Sequence, residues 1–200
     1  MKRIVLMALL ALALPMAAVA GSITDYTNAE GVVTGSSAGL SLSGAMLVSV
    51  SGLAPGNLGT VAFSTGSFVS MSGNVWTFNG GGSFTITGNG ADGLPNGVIF
   101  SGTFNGPVTA TLVGSNCPSG GSACYSIQGA LTGTLNGQPG AGFTLEQYVS
   151  TTENGLWGPS ITASGDTFLT PVPEPGAIVL LGTALVAITT IVRKKAVRRT

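Results

Sequence analysis

Apolar and polar residues follow three different patterns along the chain, and each pattern keeps to its own stretch. Residues 4–16 form a short apolar run. Residues from about 21 to 169 alternate with a period of two: in "GSFTITGNG", Phe84 and Ile86 alternate with Thr85 and Thr87. The segments "VIFSGTF", "PVTATLVG", "CYSIQGALTGTL", "GFTLEQYVS" and "SITASGDTF" repeat the style, with Val, Ile, Thr and aromatic residues bounded by Gly, Asn and Pro. Such residues suit a pleated, half-buried surface, and turn signals at roughly ten-residue intervals suit a sandwich or barrel. No long helical period appears between the termini. The expected fold is all-β: a single antiparallel β-sandwich or barrel-like domain over residues 21–169, flanked by an N-terminal signal helix and a C-terminal transmembrane helix. The stretch 21–60 is less explicit. "AMLVSV" reads as a buried strand, while the surrounding Ser and Gly suit loops equally well.

One tetrapeptide pattern recurs: Thr77-Phe78-Asn79-Gly80, Thr103-Phe104-Asn105-Gly106 and Thr134-Leu135-Asn136-Gly137. Asn-Gly after an apolar strand residue is a hairpin signal, because a type I′ turn needs positive φ at both central positions. The unequal spacing makes this recurrent turn chemistry rather than an internal repeat. Many outward positions are Ser and Thr. Such a face is neutral and hydrogen-bonding, and it does little to oppose edge-to-edge association. That suits a protein of a matrix or assembly.

Charge sharpens the picture. Only 7% of the 200 residues are charged, His is absent, and the formal net charge is zero. That zero hides a partition. All seven basic residues are terminal: Lys2, Arg3, Arg193, Lys194, Lys195, Arg198 and Arg199. All seven acids lie between them, from Asp25 to Glu174. A body without Lys or Arg cannot neutralise phosphates, so no nucleic-acid partner is expected. Lys2 and Arg3, the apolar run and the small residues Ala18-Val19-Ala20 before Gly21 read as a secretory signal over residues 1–20, cut after Ala20. In the exported chain, Cys117 and Cys124 are expected to form a disulfide closing the loop "PSGGSA".

The middle of the chain offers little catalytic chemistry. Without His there is no ordinary Ser–His or Cys–His nucleophile, and without Lys there is no Ser–Lys variant. The body's acids are Asp25, Glu30, Asp92, Glu146, Glu153 and Asp166. Glu146 with Glu153 or Asp166 is the one pairing worth naming for two-carboxylate glycoside hydrolysis. The reading preferred here is solvated loop and strand-face acids. Asn89, Asp92 and Asn96 in "GNGADGLPNG" offer oxygens to a cation, but one carboxylate is too few for calcium, and a Gly/Asn turn accounts for the segment better. Trp76, Trp157, Tyr125 and Tyr148 are the residues that would line a sugar-binding surface, or else pack a small β domain. The sequence thus predicts a non-enzyme with no catalytic residues, no metal site and no cofactor.

The third pattern is the tail. In Val172-Pro173-Glu174-Pro175 each proline removes a donor and holds its predecessor extended, so residues 170–175 read as a tether. Pro175 also suits the first position of a helix. Residues 176–192 carry no charge over 17 positions, the short end for a membrane-spanning helix. Residues 193–200 then hold the five basic residues Arg193, Lys194, Lys195, Arg198 and Arg199, which stay cytoplasmic by the positive-inside bias.

These three parts, in this order, resemble the PEP-CTERM sorting signal of exported bacterial proteins. Val172 to Pro175 match its short motif, 176–192 its single apolar helix and 193–199 its basic end, over about 30 of the 200 residues. The resemblance implies recognition in the membrane by an exosortase, cutting near the motif, and release or transfer to the cell surface of a Gram-negative bacterium that makes extracellular polysaccharide. The implied partners are therefore the exosortase, the inner membrane during transit, and extracellular polysaccharide. The body is expected to be structural or adhesive. The alternatives are an anchored sugar-binding or carbohydrate-active protein, and a single-span protein whose prolines only space it from the membrane.

Overall fold

The Gly-, Ser- and Thr-rich middle of the chain becomes strands almost throughout in the computed structural model, which describes residues 22–114, 123–150, 157 and 160–172. In chain order the strands are β1 (Thr24–Ala29), β2 (Val32–Ser36), β3 (Gly39–Val50), β4 (Gly59–Ser64), β5 (Phe68–Ser72), β6 (Val75–Phe78), β7 (Gly81–Asn89), β8 (Asn96–Phe104), β9 (Val108–Gly114), β10 (Ala123–Leu135), β11 (Gln138–Ser150) and β12 (Ser160–Pro171). A 3₁₀ turn, Ala91–Gly93, joins β7 to β8. The segment before residue 60, which the sequence left open between strand and loop, contains β1, β2, β3 and the start of β4.

The strands close into an eight-stranded antiparallel barrel, which decides between the sandwich and the barrel. Its staves follow the order β1, β3, β4, β7, β8, β10, β11 and β12, with β12 returning to β1. Closure gives every stave of the ring a neighbour on both sides. β2 prolongs the stave begun by β1. Against β12 the pairing runs from Thr24↔Leu169 through Asn28↔Gly165 to Val33↔Ser160 without a slip, interrupted from Ala29 to Gly31, where Glu30 and Gly31 have φ of 62 and 82.

β10 serves two neighbours on one side. Its Leu131–Leu135 half pairs with β8, and its Cys124–Gln128 half pairs with β9. β9, β6 and β5 thereby continue the sheet beyond the ring. Residues Ile23–Thr170 form one compact unit.

Inward residues alternate along β4 and β7, and along β8 the alternation breaks once, where Ile99 and Phe100 are both buried at a shift of register against β7. Phe63, Phe84 and Phe104 meet inside the barrel. Phe63 stacks on Phe84 at 5.7 Å between ring centroids, and Phe104 stands edge-on to both at 5.6 and 5.8 Å. Offset-stacked and edge-on pairs at such spacings are the favourable aromatic arrangements. Outside, hydroxyls lie in register across the staves, including Thr60↔Thr87, Thr85↔Ser101 and Thr103↔Thr132.

Of the three Asn-Gly pairs, one makes the expected hairpin. Asn136 and Gly137 (φ 49 and 81) join β10 to β11 with Leu135 opposite Gln138. Asn79-Gly80 and Asn105-Gly106 instead follow strands that do not pair with the strand after them, and neither Asn has positive φ. The chain turns a corner there. Its apolar predecessors Phe78 and Phe104 are buried, and the Asn79 and Asn105 amides donate to the Ser67 and Ala130 carbonyls. Tertiary pairing has overridden the local turn signal.

The expected signal segment with Ala18, Ala20 and Gly21, the tail from Pro173 onward, and Cys117 lie outside the described residues. No helix among the described residues is long and apolar enough to cross a membrane, a statement that leaves strands aside.

Candidate functional site

The polar chemistry of the barrel gathers on the wall formed by β11, β12 and β1, across the ring from the aromatic wall of β4, β7 and β8. On β11 the inward residues are Thr144, Glu146 and Tyr148, while Phe143 points out, is 50% exposed and stacks on the outward Phe168 of β12. A hydrophobic-inward reading of "GFTLEQYVS" would have placed Phe143 and Leu145 inside, so this strand is inverted. The cause is register. The tight turn at Asn136-Gly137 sets Leu135 opposite Gln138, and stepping back along the ladder sets Ile127 opposite Glu146. Directly opposed residues share a face, and β10 turns Ile127, Gly129 and Leu131 inward.

Glu146 is therefore fully buried, and the expectation of a solvated strand-face acid is corrected. Its Oε2 accepts a hydrogen bond from Asn28 Nδ2 of β1 at 3.0 Å, and its Oε1 pairs with Thr144 Oγ1 at 3.1 Å. Thr144 Oγ1 also lies 3.0 Å from Thr167 Oγ1 and 3.5 Å from the Asp166 carbonyl of β12. Gly165 supplies the room: a Cβ there would collide with the Glu146 carboxyl. Two buried polar atoms of the cluster, Asn28 Oδ1 and Tyr148 Oη, have no hydrogen-bond partner among the described residues.

The electrostatics follow from burial without a counter-ion, since no Lys, Arg or His occurs between residues 4 and 192. Desolvation pushes Glu146 up to about 7. The bonds from Asn28 and Thr144 pull against that shift, and the Asp166 carboxylate adds to it. Tyr148 is held well above the ordinary phenol range, first by burial and then by the nearby Glu146. Asp25 is raised by burial and by Asp166, which lies diagonally from it across the β1–β12 ladder.

The other sequence candidates are scattered. Asp166 sits on the outward side of β12, alternating with buried Gly165 and Thr167, so the barrel wall separates it from Glu146. These two carboxyls do not face one cleft as two-carboxylate hydrolysis requires, and Glu153 lies outside the described residues. Glu30 is exposed at the β1–β2 break, and Asp92 is exposed in the 3₁₀ turn. Asn89 is engaged by its own loop, its Nδ2 donating to the Asn57 carbonyl at 2.8 Å and its Oδ1 accepting from the Ala91 amide at 3.0 Å. Asn96 stands opposite Asn89 on β8.

The aromatic platform considered for sugar stacking does not assemble. Trp76, Tyr125 and Tyr148 are buried, and Trp76 packs edge-on to Tyr125 at 5.4 Å. Trp157 is 42% exposed and lies against Phe68 at 5.2 Å. Trp76, Tyr125 and Tyr148 are packing residues, members of the same buried hydrophobic cluster as Phe63, Phe84 and Phe104.

The sequence presents Glu146 as a solvated acid and gives no sign that Asn28, Thr144 and Thr167 surround it. The signal for Glu146 was present, since the Asn136-Gly137 hairpin fixes which strand residues oppose which. Val172, the first residue of the tail motif, is exposed just beyond β12. Comparison of the chain with family models, with curated proteins and with solved structures finds no match in any of the three.

Proposed function

We propose that this chain is an exported cell-surface or extracellular-matrix protein that carries a C-terminal sorting tail of the PEP-CTERM type. It is inserted in the inner membrane through residues 176–192, held by the basic residues 193–199, and processed by an exosortase near Val172-Pro173-Glu174-Pro175. The observation that carries this reading is the tail itself: the motif, 17 uncharged residues and five basic residues follow one another in order. The barrel is its non-enzymatic cargo, structural or adhesive, with Cys117 and Cys124 joined in the oxidising exterior. Support for a cargo role comes from its filled apolar interior and the hydroxyl-rich outer registers of β4, β7, β8 and β10.

The test is the double substitution Pro173→Ala with Pro175→Ala in a host that has an exosortase. Wild-type protein should lose its C-terminal segment, read by intact mass, and reach the surface. The variant should keep residues 176–200 and stay in the inner membrane. Identical mass and location for the two proteins would refute processing at this motif.

A further inference from the structure

We infer that Glu146 is a protonation-controlled latch for the β11–β12–β1 wall: the wall is closed around the neutral acid, and ionisation of Glu146 loosens it. The inference is independent of the sorting tail.

The geometry carries it. The carboxyl group is fully buried and, among the described residues, receives two donors, Asn28 Nδ2 and Thr144 Oγ1. A carboxylate has room for about four hydrogen bonds, and a buried charge is tolerated when it is paired and fully bonded. Among the described residues there is no Lys, Arg or His to pair with it. β11 contributes Tyr148, whose hydroxyl is unpartnered. β1 contributes Asn28, with Tyr26 buried beyond it and Asp25 on the other side of the strand. β12 contributes Thr167, with Asp166 behind the wall, and β10 contributes the apolar Ile127 opposite. Every charged neighbour is an acid, so each one disfavours a second negative charge.

The neutral acid fits better. Its proton can go from Oε1 to Thr144 Oγ1, whose own hydroxyl then donates to Thr167 Oγ1 or to the Asp166 carbonyl. Ionisation reverses that chain: Thr144 must then donate to Glu146, so it no longer donates to the Asp166 carbonyl, and its link to β12 becomes a bond accepted from the Thr167 hydroxyl. The same hydroxyls that tie β11 to β12 are thus recruited to solvate the charge. A wall opened to water restores an ordinary glutamate.

The sign follows. Glu146 is raised in the closed barrel, from 4.5 to about 7. Its contribution to closure is fully present below the ordinary value, declines as pH rises between the two values, and is gone above about 7. Opening of the wall should increase on the order of a hundredfold between pH 5 and pH 8.5.

The experiment is amide hydrogen exchange of the full-length protein at those two pH values, corrected for intrinsic chemistry, in wild type and in Glu146→Gln. Wild-type amides of β1, β11 and β12 should open far more readily at the higher pH, and more so than those of β4, β7 and β8. Glu146→Gln should show no such rise. An equal rise in the glutamine variant, or none in wild type, overturns the proposal. If the variant does not fold, infrared difference spectra of wild type decide. The carbonyl stretch of a protonated, buried carboxylic acid should vanish with a midpoint near the value given above, and its absence at pH 5 overturns the proposal equally.

Discussion

Replacing Phe84 by Ala tests whether the barrel interior is one packed core. Phe84 is fully buried on β7 and touches the rings of Phe63, Phe104 and Phe100, the last at 6.2 Å between centroids. Losing the ring forfeits a transfer term of about 2–3 kcal/mol. The cavity adds on the order of 2 kcal/mol, because the surroundings cannot collapse. The residue opposite Phe84 on β8 is Gly102, which has no side chain to move in, and the strands on both sides are locked into a closed ring. The sum, about 4–5 kcal/mol, lies at the upper end for Phe→Ala substitutions. Against a total stability of about 5–15 kcal/mol, it would leave the variant marginal. Denaturant unfolding followed by the fluorescence of buried Trp76 reads the change as a lower midpoint at unchanged slope. Thr85→Ala, on the outer face one residue away, is the control and should stay within about 0.5 kcal/mol of wild type. A loss below about 2 kcal/mol for Phe84→Ala, with the slope unchanged, would show that the interior repacks freely, and the packing described above would be wrong.

Two further perturbations probe the edges of the reading. Gly142→Ala would set a methyl group on the Phe168 carbonyl where β11 meets β12, so it should cost about 2–3 kcal/mol and speed amide exchange selectively along that junction; wild-type stability would mean that β11 and β12 do not close the ring there. With Cys117 and Cys124 joined as proposed, reduction should lower the protein's stability by about 2–3 kcal/mol through loss of the eight-residue loop closure. A Cys117→Ser, Cys124→Ser variant should be indifferent to reductant, and a wild-type midpoint that reductant leaves unchanged would rule the disulfide out.

Sequence alone was enough for the fold class, because period-two alternation and frequent Gly, Asn and Pro turns are local properties. Phe84 and Ile86 are inside and Thr85 and Thr87 outside, as their spacing says. The charge partition and the order of Pro-Glu-Pro, uncharged run and basic residues are likewise local properties of the sequence, and the sorting role of the tail rests on the proposal made above. What the sequence left open was everything that depends on which strands meet. The Asn-Gly at residues 136–137 makes a hairpin, while those at 79–80 and 105–106 do not, because β6 and β8 find their neighbours elsewhere in the sheet. Barrel rather than sandwich was decided by β12 returning to β1, a pairing of strands more than a hundred residues apart. The burial of Glu146 came from register against β10, which turned an outwardly ordinary acid toward Asn28 and Thr144. Local composition sets what a strand can be; long-range pairing sets which of its faces is removed from water. In a body with no cation, that choice of face determines where its single fully buried carboxyl, among the described residues, has to be accommodated.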